Sequence, residues 1–172
     1  SAARADIAAA GADFARFAAD TATSLVSFDD FGTAAAKQLG ISPDAFAQLA
    51  YQLAHRRSKG LTGATYESIA TRQFRNGRTE AMRVVTPEMV AFVDALVDES
   101  VDRATKLAAA RAAAAAHVGR AKECQAGQAP EQHLWELQWI QRRRGAELGV
   151  ADEQIALFDS PGWTIMRDGY LS

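Results

Sequence analysis

Residues 64–83 read ATYESIATRQFRNGRTEAMR, a composition that packing alone does not select. Arg72, Arg75, Arg78 and Arg83, Glu67 and Glu80, three threonines, Tyr66 and Ser68 share the run, yet apolar residues alternate through it. In an extended chain that alternation puts Ala64, Tyr66 and Ser68 on one face and Thr65, Glu67 and Ile69 on the other. Asn76-Gly77 marks a turn, because both residues tolerate positive φ, and Thr79 to Val85 forms a second short β-like run. The hydroxyls and charges of such a hairpin must be satisfied by water or by a ligand. A solvated surface hairpin and a ligand-binding one both meet that requirement. The histidines are His55, His117 and His133. All three fall in helical patterns, where a structural role is the expectation for each.

The elements around the hairpin read as helices. Ile7, Phe14, Phe17 and Ala18 among many alanines predict an amphipathic helix over residues 4–23. Residues 24–31 alternate as a short strand would. Residues 34–39 form a short helix closed by Gly40. Ser42-Pro43 opens a helix with a serine cap, a proline at the first helical position and Asp44 in the first turn. Its buried stripe is Phe46, Leu49, Ala50 and Leu53. It ends in His55-Arg56-Arg57-Ser58-Lys59-Gly60, basic residues that suit a helix C-terminus and would equally face an anionic ligand.

Thr86-Pro87-Glu88 repeats the cap-plus-proline start for a helix over residues 87–97, carrying Met89, Val90, Val93 and Leu96. An alanine-rich helix follows from Glu99 to about Cys124, and Gly127 to Pro130 breaks it. The helix over residues 131–147 carries Leu134, Trp135, Leu137, Trp139 and Ile140, and Gly149 ends it. Residues 151–158 read as a short helix, Ser160-Pro161-Gly162 as a turn, Trp163 to Met166 as a strand and Asp168-Gly169 as a second turn. The fold class is α+β, predominantly helical with a few short strands.

At 172 residues and 48% hydrophobic, the chain suffices for the core of one domain. A net charge of −2 gives no electrostatic ground for a nucleic-acid or membrane-surface partner. It also speaks against a DNA-binding helix-turn-helix over residues 42–60. The one cysteine, Cys124, excludes an internal disulfide and fits a reducing compartment. There is no apolar run of membrane-spanning length and no signal-like start, so a soluble, cytoplasmic protein is expected. The chain opens in mid-helix and stops on Tyr170-Leu171-Ser172 without a polar tail, as a segment excised from a longer polypeptide would.

Ala64-Thr65-Tyr66-Glu67-Ser68, then Gly77-Arg78-Thr79-Glu80 and Met82-Arg83, resemble the signature of the choline/carnitine acyltransferase family. Ser42-Pro43-Asp44-Ala45-Phe46, Gln52-Leu53-Ala54 and His133-Leu134 are similar in order and spacing, so the likeness runs from about Phe31 to Leu134. The resemblance implies one domain over residues 1–172 of a larger two-domain polypeptide, part of a coenzyme A-dependent α/β domain. It implies acyl transfer from a coenzyme A thioester to the hydroxyl of a small alcohol such as carnitine, choline or a related compound, without a metal. The family's general base is a histidine in a His-x-x-x-Asp motif. None of the three histidines here has that aspartate, so the resemblance puts the base elsewhere in the polypeptide and implies that this chain alone does not turn over.

By resemblance, Tyr66 and Thr79 match hydroxyl residues that hydrogen-bond the carnitine carboxylate. Ser172 matches the first serine of a Ser-Thr-Ser motif that holds the acceptor and stabilises the tetrahedral oxyanion. Lys37, Asp44, Glu67 and Ser68 match positions that contact coenzyme A, Lys37 as a point charge on a phosphate. Two positions depart from the pattern. Thr33 replaces a second lysine, which weakens the phosphate contact and leaves an acyl carrier protein open as donor. Gln132 replaces the arginine that pairs with the carnitine carboxylate; glutamine offers donors but neither charge nor a bidentate fork. Thr79 is the carnitine-like choice and Gln132 is not, which leaves the acceptor open. Arg78 and Arg83 are expected to hold the turn and to pair with Glu67 or Glu80. A second reading is a non-catalytic helical interaction module that kept the fold, with exposed apolar surface in isolation.

Overall fold

A computed structural model of the protein describes residues 2–150 and 155–167. The chain divides into two compact units, Ser1–Gly32 and Thr33–Ser172. The first holds helix α1 (Ala2–Asp20), none of whose residues is buried. Residues 24–31 are not a strand. Leu25 and Val26 lie exposed, and an apolar alternation becomes a strand only where a neighbour pairs with its backbone. Phe28 and Phe31 instead meet edge to face, ring centroids 4.8 Å apart.

The second unit is built on three packed helices and a hairpin: α3 (Pro43–Lys59), α4 (Pro87–Val97) and α5 (Arg103–Gln125), with strands β1 (Tyr66–Ala70) and β2 (Thr79–Arg83). Leu49 of α3, Met89, Phe92 and Val93 of α4, Ala113 of α5 and Val84 after β2 form the central core. Alanines at 113 and 114 let α5 approach closely, and Ile41 and Ala45 pack on Ala114. The short helix α2 (Thr33–Gln38) precedes this group, and its chain reverses at Gly40 with φ of 73°. On α3 the buried residues are Ala45, Leu49 and Gln52, whereas Ala50 is exposed.

The proline-started helices begin as their residue types dictate. Pro43 opens α3, although Ser42 makes no side-chain cap bond. Thr86 Oγ1 accepts from Met89 N at 3.2 Å ahead of Pro87. Helix α5 starts at Arg103 instead of Glu99 because Asp102 is the better cap: its carboxylate accepts from Ala104 N at 2.8 Å and Thr105 N at 3.0 Å. Helix α6 (Pro130–Leu148) runs to Gly149, left-handed at φ 72°. Trp135, Leu137, Trp139 and Ile140 on it are all exposed, and its buried residues are Gln138 and Gly145.

Residues 163–166 are helical, correcting the expected strand: α7 (Ala156–Asp159) is followed by α8 (Pro161–Arg167). Ser160-Pro161 is a helix start of the same kind as Ser42-Pro43. Ser160 Oγ accepts from Trp163 N at 3.1 Å, and Trp163 is buried against Phe158. The expected helix over residues 151–158 falls partly, and the turn at Asp168-Gly169 wholly, outside the described residues. Among those described, no helix is long and apolar enough to cross a membrane.

Candidate active-site surface on the two faces of a hairpin

Strands β1 and β2 pair antiparallel, with Tyr66 opposite Arg83, Ser68 opposite Ala81 and Ala70 opposite Thr79. Residues 71–78 close the hairpin. Asn76 takes φ 61°, and a Cβ on Gly77 would lie 1.9 Å from Thr71 O, so only glycine closes the loop here. Thr71 N donates to Arg78 O, and the Gln73 side chain reaches Gln125 O at the end of α5. Below, buried Gln52 of α3 donates to Thr65 Oγ1 at 3.1 Å, and Thr65 O accepts from Val84 N. The hairpin is thereby fixed to both helices. Ile69 and Met82 turn inward onto Cys124 and Ala129. Burial pushes the Cys124 thiol up, as suits an inert helix residue.

The outer face of the ladder is an open cleft of about 340 Å³, whose lining includes Tyr66, Ser68, Thr79, Arg83, Glu131 and Gln132. Three residues singled out from the sequence for acceptor binding, Tyr66, Thr79 and Gln132, therefore share one concavity. Tyr66 and Thr79 stand at opposite ends of the ladder, since they pair with Arg83 and Ala70. Arg83 organises the cleft: Nε and Nη2 donate to the two oxygens of Glu131 at 2.6 and 2.5 Å, and Nη2 also donates to Met166 O. Its guanidinium carbon lies 5.8 Å from the Tyr66 ring centroid, within cation–π range. Arg83 thus pairs with neither Glu67 nor Glu80, because both occupy alternate ladder positions. Its Nη1 is buried without a partner among the described residues. Burial raises the Glu80 carboxyl, partly offset by the bond from Ala81 N.

The inner face carries a different constellation. His117 of α5 is 2% exposed, with Nε2 2.9 Å from Asp44 Oδ2 and 3.6 Å from Glu67 Oε2. Burial, then the Asp44 carboxylate beside it, raises Glu67 above the usual carboxylate range, and His117 partly offsets this. The three residues offer ligand atoms within 4.8 Å of one another, a two-carboxylate, one-imidazole set of the kind divalent ions accept.

Of the four residues matched to coenzyme contacts, Asp44 and Glu67 meet here, Ser68 lies on the outer face, and Lys37 is exposed on α2. Ser172 lies outside the described residues. His55 Nδ1 lies 3.1 Å from Leu61 O, a local structural bond, and His133 is exposed. Sequence reasoning missed His117 as a partner of Asp44, and it missed Glu131. A buried histidine in an alanine helix carries no local mark of a carboxylate 73 positions away.

The sequence model of Choline/Carnitine o-acyltransferase matches residues 1–172. The chain belongs to the choline/carnitine acyltransferase family. It is 37% identical over 140 residues to the peroxisomal carnitine O-octanoyltransferase of Homo sapiens, covering 81% of this chain and 23% of that protein. To a putative mitochondrial carnitine O-acetyltransferase of Saccharomyces cerevisiae it is 33% identical over 153 residues, 86% of this chain and 21% of the relative. To the carnitine O-acetyltransferase of Homo sapiens it is 38% identical over 115 residues, 67% and 18%. The chain therefore spans about a fifth of the length of these curated relatives.

Proposed function

We propose that this chain supplies acceptor- and coenzyme-binding residues to an acyltransferase that moves an acyl group from coenzyme A to a small carnitine- or choline-like alcohol. In that reaction the alcohol oxygen bonds to the acyl carbon and the carbon–sulfur bond breaks. The hydroxyl proton passes through a general base to the departing sulfur. The base is a histidine elsewhere in the polypeptide, since none of His55, His117 and His133 is followed by the aspartate of the family's His-x-x-x-Asp motif. Tyr66, Thr79 and Gln132 bind the acceptor, and Ser172 supplies a donor to the developing oxyanion. Lys37, Asp44, Glu67 and Ser68 hold the coenzyme.

The observation that carries this reading is the shared cleft: Tyr66, Thr79 and Gln132 come from three elements and line one concavity. Each hydrogen bond from such a group to a charged acceptor is worth roughly 1.5–3 kcal/mol. The test is thioester release by the intact polypeptide carrying this chain, against a panel of hydroxy-amines and hydroxy-acids. Thiol release that depends on a quaternary-ammonium alcohol is expected, and no release with any acceptor sinks the proposal. Thr33 and Gln132, both departures from the family pattern, favour the second reading of a non-catalytic module that retains the fold.

A further inference from the structure

His117 does more for this molecule than fill a helix. Its imidazole is almost wholly buried, yet Nε2 faces two carboxylates from two other elements, Asp44 on α3 and Glu67 on β1. Stability alone does not favour that arrangement. Two carboxylates brought this close repel, as the raised Glu67 carboxyl reflects. Glu67 Oε2 is left buried without a hydrogen-bond partner. Of the two carboxylates gathered around this buried donor, Asp44 is largely exposed and Glu67 partly so, which keeps carboxyl oxygen within reach of a ligand at the surface.

The tautomer follows from the same geometry. His117 Nδ1 is buried with no hydrogen-bond partner among the described residues. A proton there would be an unsatisfied buried donor, so the proton sits on Nε2, pointing at the carboxylates. An exposed aspartate ordinarily samples several rotamers. Here a buried imidazole N–H holds one oxygen of Asp44, 2.9 Å away.

We infer that His117 is a positioning residue for the coenzyme side: its Nε2–H sets the orientation of Asp44 and Glu67, which accept donors of the bound acyl donor. It touches no substrate itself. The inference rests on the proposed function above, because only that reading gives the two carboxylates a ligand.

The test uses a pair of amide variants in the intact polypeptide. His117→Gln keeps an N–H donor near the position of Nε2, whereas the shorter amide of His117→Asn stops at the position of Nδ1. The expected result is a rise of about tenfold in KM for acyl-CoA, and in Kd for free coenzyme A, in H117N. KM for the alcohol and kcat stay within about twofold, and H117Q restores coenzyme binding.

Equal coenzyme binding by the two variants overturns the inference, as does a rise in the alcohol KM instead. So does stoichiometric Mn²⁺ or Zn²⁺ binding that H117Q abolishes, which would make the trio a metal site. Should H117N fail to fold, His117→Leu, which fills the site without an N–H donor, is compared with H117Q: weakened coenzyme A binding in H117L alone supports the inference, and equal binding overturns it. An unaltered polypeptide that transfers acyl groups while H117N matches H117Q refutes the role of His117 alone. One that neither binds coenzyme A nor releases thiol refutes the parent reading with it.

Discussion

The two faces of one five-residue ladder solve opposite electrostatic problems. On the outer face a guanidinium and a carboxylate, Arg83 and Glu131, neutralise each other in a two-pronged pair. That leaves a cleft whose remaining polar groups are the hydroxyls of Tyr66, Ser68 and Thr79, the amide of Gln132 and the Glu80 carboxyl, which burial raises toward its neutral form. On the inner face two carboxylates crowd one buried imidazole, and negative charge is left over. The strand period of two is what lets adjacent residues serve such different surroundings: Tyr66 and Ser68 face out and Glu67, between them, faces in. A paired charge fixes the shape of a cleft without dictating the charge of its ligand, whereas an unbalanced cluster demands a partner. Apart from Ser68, which stands on the outer face although it is proposed to meet the coenzyme, the outer face suits specificity by hydrogen bonding and the inner face suits donors and cations.

The comparison is broken most severely at Arg83. Replacing it with leucine leaves Glu131 half-buried without a counter-charge and removes the group packed over Tyr66. Arg83→Leu is expected to cost ~3 kcal/mol in stability and to collapse the outer cleft. Thermal melting together with acyl-transfer assays checks this. A variant that melts like the parent would mean that the ion pair is dispensable.

A sharper probe changes charge without removing anything. Gln132→Arg adds a cation to a cleft whose own cation is already paired. The preference for a carboxylate-bearing alcohol over its uncharged counterpart is expected to rise on the order of tenfold, read as the ratio of kcat/KM values. An unmoved ratio would place the acceptor elsewhere.

The smallest effect falls on the inner face. The folded state raises the Glu67 carboxyl above its unfolded value, chiefly through burial. Proton binding by Glu67 therefore favours the fold below that unfolded value. The advantage is lost as pH rises through the folded one, so the ionised side chain is a burden near neutrality. Glu67→Gln should melt about 1–2 °C higher than the parent at pH 7, with the difference shrinking as pH falls toward 4. A lower melting temperature at pH 7 would mean that His117 compensates the charge in full.

Much of the scaffold was legible because local chemistry wrote it. Asn76-Gly77 marked the bend, Thr86-Pro87 and Ser42-Pro43 marked helix starts, and Gly40 and Gly149 marked ends. Ser160-Pro161 carries the same mark of a helix start, but Gly162 directly after it suits a turn equally well. The cleft was half legible: the alternation told which side chains share a face of each strand. The partners from other helices were not, because Arg83–Glu131 and His117–Asp44 join residues 48 and 73 positions apart. No local pattern records such distances. Exposure of the aromatic stripe of α6 was equally hidden, as periodicity shows which residues share a side but not what covers it.

Steady-state kinetics of Tyr66→Phe in the intact polypeptide tests the division between the faces most directly. Losing one hydroxyl from the outer cleft should raise KM for the acceptor alcohol about tenfold and leave KM for acyl-CoA within about twofold. A rise in the acyl-CoA KM with the acceptor KM unmoved would contradict the assignment of the two faces.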